Sequence, residues 1–143
     1  MSLTVKRALV PAACLLSALD KGRISHIDMR PLVVHVLCAL QRCGLVQAVV
    51  ALGHGANEIV DAVRRLSFGE MRVDFVWGVA FEWGSTLANA VMAARSSFPG
   101  SEPFLLVRSD YLYDWRLLQQ MTRLHMADDA DVYALVDTAT ATL

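Results

Sequence analysis

Apolar positions along this chain fall into short continuous runs, separated by segments in which they recur at helical spacing. Val5-Lys6-Arg7-Ala8-Leu9-Val10-Pro11 reads as a strand, followed by a loop from Ala12 to Asp28. A helix is predicted from Pro31, whose missing N–H is harmless in a first turn, to Gly44. Val33, Val36, Leu37 and Leu40 give it one face for a sheet, with His35 on its polar flank. Val46 to Leu52 is an apolar run of strand length, and Ile59, Val63 and Leu66 mark a helix that Asn57 can cap. The order repeats as strand Arg72 to Trp77, helix Thr86 to Phe98, strand Phe104 to Val107, helix Trp115 to Met126 and strand Asp131 to Val136. Alternating strands and helices predict right-handed βαβ crossovers, hence an α/β fold of three layers, α/β/α, around a mainly parallel sheet.

The length of 143 residues suits a single domain, 1–143. Hydrophobic residues make up 55% and charged residues 19%, an apolar excess that favours burial against a partner and, with it, a homo-oligomer. A formal net charge of −1 with dispersed basic residues supplies no stripe for a nucleic-acid backbone. Charged or amide side chains interrupt every apolar stretch before the roughly 18 residues a bilayer span requires. Cys14, Cys38 and Cys43 are odd in number, lack zinc-ligand spacing and follow no secretory pattern, which points to the reducing cytoplasm.

The candidate chemistry lies at the ends of the apolar runs. Asp110, in Ser109-Asp110-Tyr111-Leu112-Tyr113-Asp114, follows a buried-looking strand where open α/β sheets place ligands and metal ions. The structural alternative is that Asp110 and Asp114 form a turn and cap the next helix. Gly84-Ser85-Thr86 precedes an apolar helix, which Ser85 or Thr86 can cap while its free N–H groups face the ligand edge. Gly53-His54-Gly55 is a tight turn rather than a dinucleotide-binding loop, because Glu58 occupies the third glycine position. A P-loop is absent, the first strand lacks the acidic cluster of a phosphoacceptor domain, and neither Ser17 nor Ser85 sits in a nucleophile elbow. Cys14 reads as a small buried residue.

Taken together, these segments resemble the nucleotidyltransferases that join a nucleoside triphosphate to a phosphorylated sugar, polyol or alcohol, including the sugar-phosphate nucleotidylyltransferases and small cytidylyltransferases. Ala12-Ala13-Cys14-Leu15-Leu16-Ser17-Ala18-Leu19 is similar to the family's Ala-Ala-Gly-x-Gly-x-Arg-Leu loop, with both glycines and the arginine replaced. Met29-Arg30-Pro31-Leu32 resembles its Gly-Lys/Arg-Pro-Leu segment, and Leu45 to His54 the strand and turn that follow. Glu82-Trp83-Gly84-Ser85-Thr86-Leu87 resembles the Gly-x-x-Ser-Leu region, and Ser109-Asp110 the Gly-Asp or Ser-Asp metal motif.

The resemblance implies a Rossmann-like sheet of the nucleotidyltransferase type. It also implies attack by a substrate phosphate oxygen on the nucleotide α-phosphorus with release of pyrophosphate. Ala12, Ala13, Cys14, Gly84, Ser85 and Thr86 would bind nucleotide, Asp110 would hold Mg2+, and Lys21 or Arg23 would supply the catalytic cation. The partners implied are a nucleoside triphosphate and a small phosphorylated acceptor. Cys14 and Leu16 carry side chains where glycines allow close phosphate approach, and Ala18 offers no cation. The sequence resembles the nucleotide-binding half of the family's longer domains. A non-catalytic homologue that binds a nucleotide or a protein partner is therefore the alternative to an enzyme.

Overall fold

A computed structural model of the chain describes residues 5–12, 26–53, 56–77, 87–100, 102–109 and 112–123. The elements follow as β1 (Arg7–Pro11), β2 (His26–Ile27), β3 (Arg30–Pro31), α1 (Leu32–Arg42), β4 (Gln47–Leu52), α2 (Ala56–Arg64), β5 (Arg72–Trp77), α3 (Leu87–Ala94) with a 3-10 turn Arg95–Ser97, β6 (Leu105–Leu106) and α4 (Trp115–Thr122). The expected strand at Asp131 to Val136 lies outside the described residues. The expected alternation is otherwise present, and the fold is α/β.

β1, β4, β5 and β6 form one parallel sheet in the order β5-β4-β1-β6. β4 is buried along its whole length, as the continuous apolar run predicts for an inner parallel strand, whereas β5 at the edge is only half covered. Strand alternation splits the core in two. Ala8, Val10, Ala48, Val50 and Leu52 face α1, α2 and Leu118 of α4, while Leu9, Val49 and Ala51 face Ala90 and Ala94 of α3. Right-handedness explains this division. The crossovers β1 to β4 and β4 to β5 progress in one direction and place α1 and α2 on one face, and the return past β1 to β6 carries α3 across the other.

The amino ends of the strands are tied by a polar chain. Gln47, only 2% exposed, accepts from Arg7 Nη1 at 2.9 Å and donates to Asp74 Oδ2 at 2.9 Å. Arg7 Nε donates to Glu102 at 3.0 Å and Arg72 Nε to Asp74 at 2.8 Å. These contacts span β1, β4, β5 and the segment entering β6.

Several element ends differ from the sequence expectation. The region read as a continuous loop to Asp28 contains the hairpin β2–β3, whose two turn residues Asp28 and Met29 have φ of 52° and 64°. Both angles lie in the left-handed region of a type I′ turn. His35 of α1 donates from Nε2 to the Ile27 carbonyl at 2.8 Å and so fastens this hairpin to the helix. α1 begins one residue after Pro31. It ends in a Schellman arrangement, with Gly44 N–H to Gln41 O at 3.0 Å and Leu45 N–H to Leu40 O at 3.5 Å. Asn57 does not cap α2: the helix starts at Ala56, whose N–H reaches Gly53 O at 3.2 Å, so Asn57 lies inside the first turn. α4 stops at Thr122 rather than Met126.

Two left-handed positions give opposite expectations. Gly44 has φ +82° and a Cβ there would meet nothing within 4 Å. Gly44→Ala therefore costs backbone strain alone, about 1 kcal/mol, read as a lower urea midpoint. Met29→Gly relieves the same kind of strain, less the added unfolded-state entropy, and should raise stability by about 0.5 kcal/mol.

Candidate functional site

The site is built where the strand order reverses. The chain leaves β1 toward β4, and β6 arrives on the other side of β1, so the carboxyl ends of these two strands flank the position where open α/β sheets bind ligands. Their pairing is short: the register runs only through Ala8↔Leu105 and Leu9↔Leu106, continued by Val107 N–H to Leu9 O at 3.0 Å.

Pro11 changes the ladder at this point. In this register the next rung would be donated by the backbone nitrogen of residue 11 to the carbonyl of residue 107, and proline has no N–H to give. The rung after it belongs to residue 109 and the Pro11 carbonyl. There the Ser109 side chain donates from Oγ to Pro11 O at 2.8 Å. On its other side β1 stays zipped to β4, with Ala12 N–H to Ala51 O at 2.9 Å.

Of the residues expected at the site, Ala12 is seen at the end of β1, half-buried and packed on the core. Ala13, Cys14, Lys21, Arg23, Gly84, Ser85, Thr86 and Asp110 lie outside the described residues. Ala13 and Cys14 continue directly from Ala12, and Asp110 directly follows Ser109. Asp114 belongs to the helix: it N-caps α4, its carboxylate accepting from Arg116 N–H at 2.9 Å. The two acids of the segment thus part in role, with Asp114 serving the fold. Reading the sequence missed the contribution of Ser109, because its partner is 98 residues away.

Among the described residues, no three His, Cys, Asp or Glu side chains gather into a metal-binding group. Cys38 and Cys43 are free thiols. Cys43 lies at the far end of α1, where its Sγ donates to the Trp115 carbonyl at 3.1 Å. Burial pushes this thiol up from its ordinary pKa, and Arg123 opposes part of that rise. Arg42 stacks over the Trp115 ring, 4.7 Å from its centroid. A separate groove of about 590 Å³ runs along edge strand β5, lined by residues including Val63, Phe68, Met71, Val73 and Trp77. It lies two strands away from the β1–β6 junction and has no part in that geometry.

Solved structures share this fold. HddC from Yersinia pseudotuberculosis matches with a TM-score of 0.62 and 18% identity over 82% of this chain and 54% of that one. A UDP-glucose pyrophosphorylase complexed with UDP-glucose matches with a TM-score of 0.61 and 18% identity, over 82% of this chain and 52% of that one. The fold is nucleotidyltransferase-like. The chain spans about half the length of these structures. No family model and no curated protein matches the sequence. No described helix is long and apolar enough to cross a membrane.

The Cys43 environment fixes the sign of a pH dependence. The folded thiol keeps its proton above the pH at which an unfolded one, with pKa about 8.5, releases it. The stabilisation is therefore complete below that pH and is lost as pH rises through the folded pKa. Urea midpoints measured between pH 8 and pH 10 should fall more steeply for the wild type than for Cys43→Ala. Parallel pH profiles for the two proteins would contradict this assignment.

Proposed function

We propose that this chain is the nucleotide-binding part of a nucleotidyltransferase, acting on a nucleoside triphosphate and a small phosphorylated acceptor. The observation that carries the reading is the junction of β1 and β6, where Pro11 has no N–H to give the ladder and the Ser109 hydroxyl donates to the Pro11 carbonyl at 2.8 Å. It delivers Ala12 and the start of the first loop on one side and Ser109, the residue before Asp110, on the other. The UDP-glucose complex among the structural neighbours supports a nucleoside-diphosphate-linked sugar as the product class.

In this reading the backbone N–H groups of Ala13 and Cys14 and of Gly84-Ser85-Thr86, which precede α3 in sequence, donate to phosphate oxygens, whereas the Ala12 N–H is committed to Ala51 O and lines the site without donating to it. Asp110 holds Mg2+. Bound there, the ion would neutralise charge on the nucleotide phosphates. The acceptor's phosphate oxygen bonds to the α-phosphorus as the bond to the bridging oxygen breaks, and pyrophosphate carries away the electron pair. Such transfer depends on positioning and charge neutralisation, with Lys21 or Arg23 as the cation this chain offers near the first loop.

A second reading, a nucleotide-binding module without turnover, is favoured by Cys14, Leu16 and Ala18, which stand where the family has two glycines and an arginine. One experiment separates the two. The protein is incubated with Mg2+, each of the four common ribonucleoside triphosphates and a panel of sugar and alcohol phosphates, while pyrophosphate release and thermal stability are recorded. Catalysis predicts pyrophosphate release that Asp110→Ala reduces at least 100-fold. A ligand-dependent rise in melting temperature without pyrophosphate supports the binding module. Neither signal with any triphosphate would refute the nucleotide site.

A further inference from the structure

We infer that the Ser109 hydroxyl is a positioning group, a side-chain latch that sets how far the ends of β1 and β6 stand apart at the edge of the nucleotide site. The inference rests on the nucleotide-site reading and deepens it.

Two independent features of the ladder carry it. Pro11 is fully buried, yet lacks the N–H that this register would aim at the residue-107 carbonyl, so the β1–β6 ladder loses a rung at the end of a pairing already limited to two registered residue pairs. The following rung is made by Ser109 Oγ, which donates to the Pro11 carbonyl at 2.8 Å. A hydroxyl reaches this oxygen from a side chain, which holds the Ser109 backbone farther from β1 than a backbone rung would. The consequence is local. β1 remains paired to β4 through Ala12 N–H and Ala51 O, so the parting is confined to one side of β1. A buried carbonyl also needs a donor, and leaving it unpaired is unfavourable, so this requirement holds the latch closed. An alanine here would abolish the contact with little change of volume, whereas threonine keeps the hydroxyl.

The test compares the wild type with Ser109→Ala and Ser109→Thr in two measurements. The first is backbone amide hydrogen exchange at Val107 and Ala12 in the ligand-free protein. The second is affinity for each of the four common ribonucleoside triphosphates with Mg2+, by titration calorimetry. Loss of one hydrogen bond predicts that Ser109→Ala speeds exchange at Val107 by about 3- to 10-fold, leaves Ala12 as in the wild type, and weakens triphosphate binding by about 3- to 10-fold. Ser109→Thr should retain wild-type behaviour in both. Unchanged Val107 exchange in Ser109→Ala overturns the latch, whether or not nucleotide binds. Faster exchange with unchanged affinity overturns the positioning role and leaves a purely structural bond. A wild type that binds none of the triphosphates overturns the nucleotide reading and the positioning role with it, while the exchange measurement still decides the latch.

Discussion

The whole arrangement depends on β1 being held between two parallel neighbours. Its apolar centre, Ala8-Leu9-Val10, is fully buried, with Ala8 and Val10 in the core on one face of the sheet and Leu9 in the core on the other. Such a strand poses a register problem. Where one face of a sheet is wet, a slip of one residue exposes the apolar set, but β4 is buried on both faces and Ala48 to Leu52 would tolerate the exchange. Polar groups supply the missing specification. Gln47 fits between Arg7 and Asp74 in only one register, and a slip would strand its buried amide, at a cost of about 1–3 kcal/mol. The outer ion pair Arg7–Glu102, half exposed on the glutamate side, adds little by comparison.

The same sheet is closed at one end and parted at the other. Side chains from all its strands, or from the segments entering them, link the amino ends, while at the carboxyl end Pro11 withholds a donor on the side where strand order reverses. The parting is thus a property of one imino acid and one hydroxyl. It sits beside the residues that the family resemblance assigns to phosphate and metal, and two strands away from the groove on β5. That coincidence of topology, ladder chemistry and sequence motif is what supports the nucleotide reading.

Much of the architecture was legible in the residue pattern, because strands buried on both faces are continuous apolar runs and the amphipathic helices α1, α2 and α4 repeat at helical spacing. The details that escaped were decided by backbone contacts. The β2–β3 turn carries Asp28 and Met29 where glycine or asparagine would have announced it, although the family segment matched by Met29 has glycine there, in keeping with its left-handed φ. α4 closes at Thr122, whose carbonyl accepts from Val5 N–H at 2.9 Å, a tertiary contact with no local signature. At the candidate site the sequence supplied motifs and their order. The role of Ser109 needed the β1–β6 register, and Asp114 was settled as a cap only by its bond to Arg116.

The most direct test of the account is a nitrogen–proton correlation titration of the labelled protein with Mg2+ and each of the four common ribonucleoside triphosphates, followed residue by residue. A site at the β1–β6 junction predicts saturable shifts that are largest at the amides of Ala12 and Ser109 and small along β5. Largest shifts at Val73 and Phe75 beside the edge groove, or no saturable shift with any triphosphate, would contradict it.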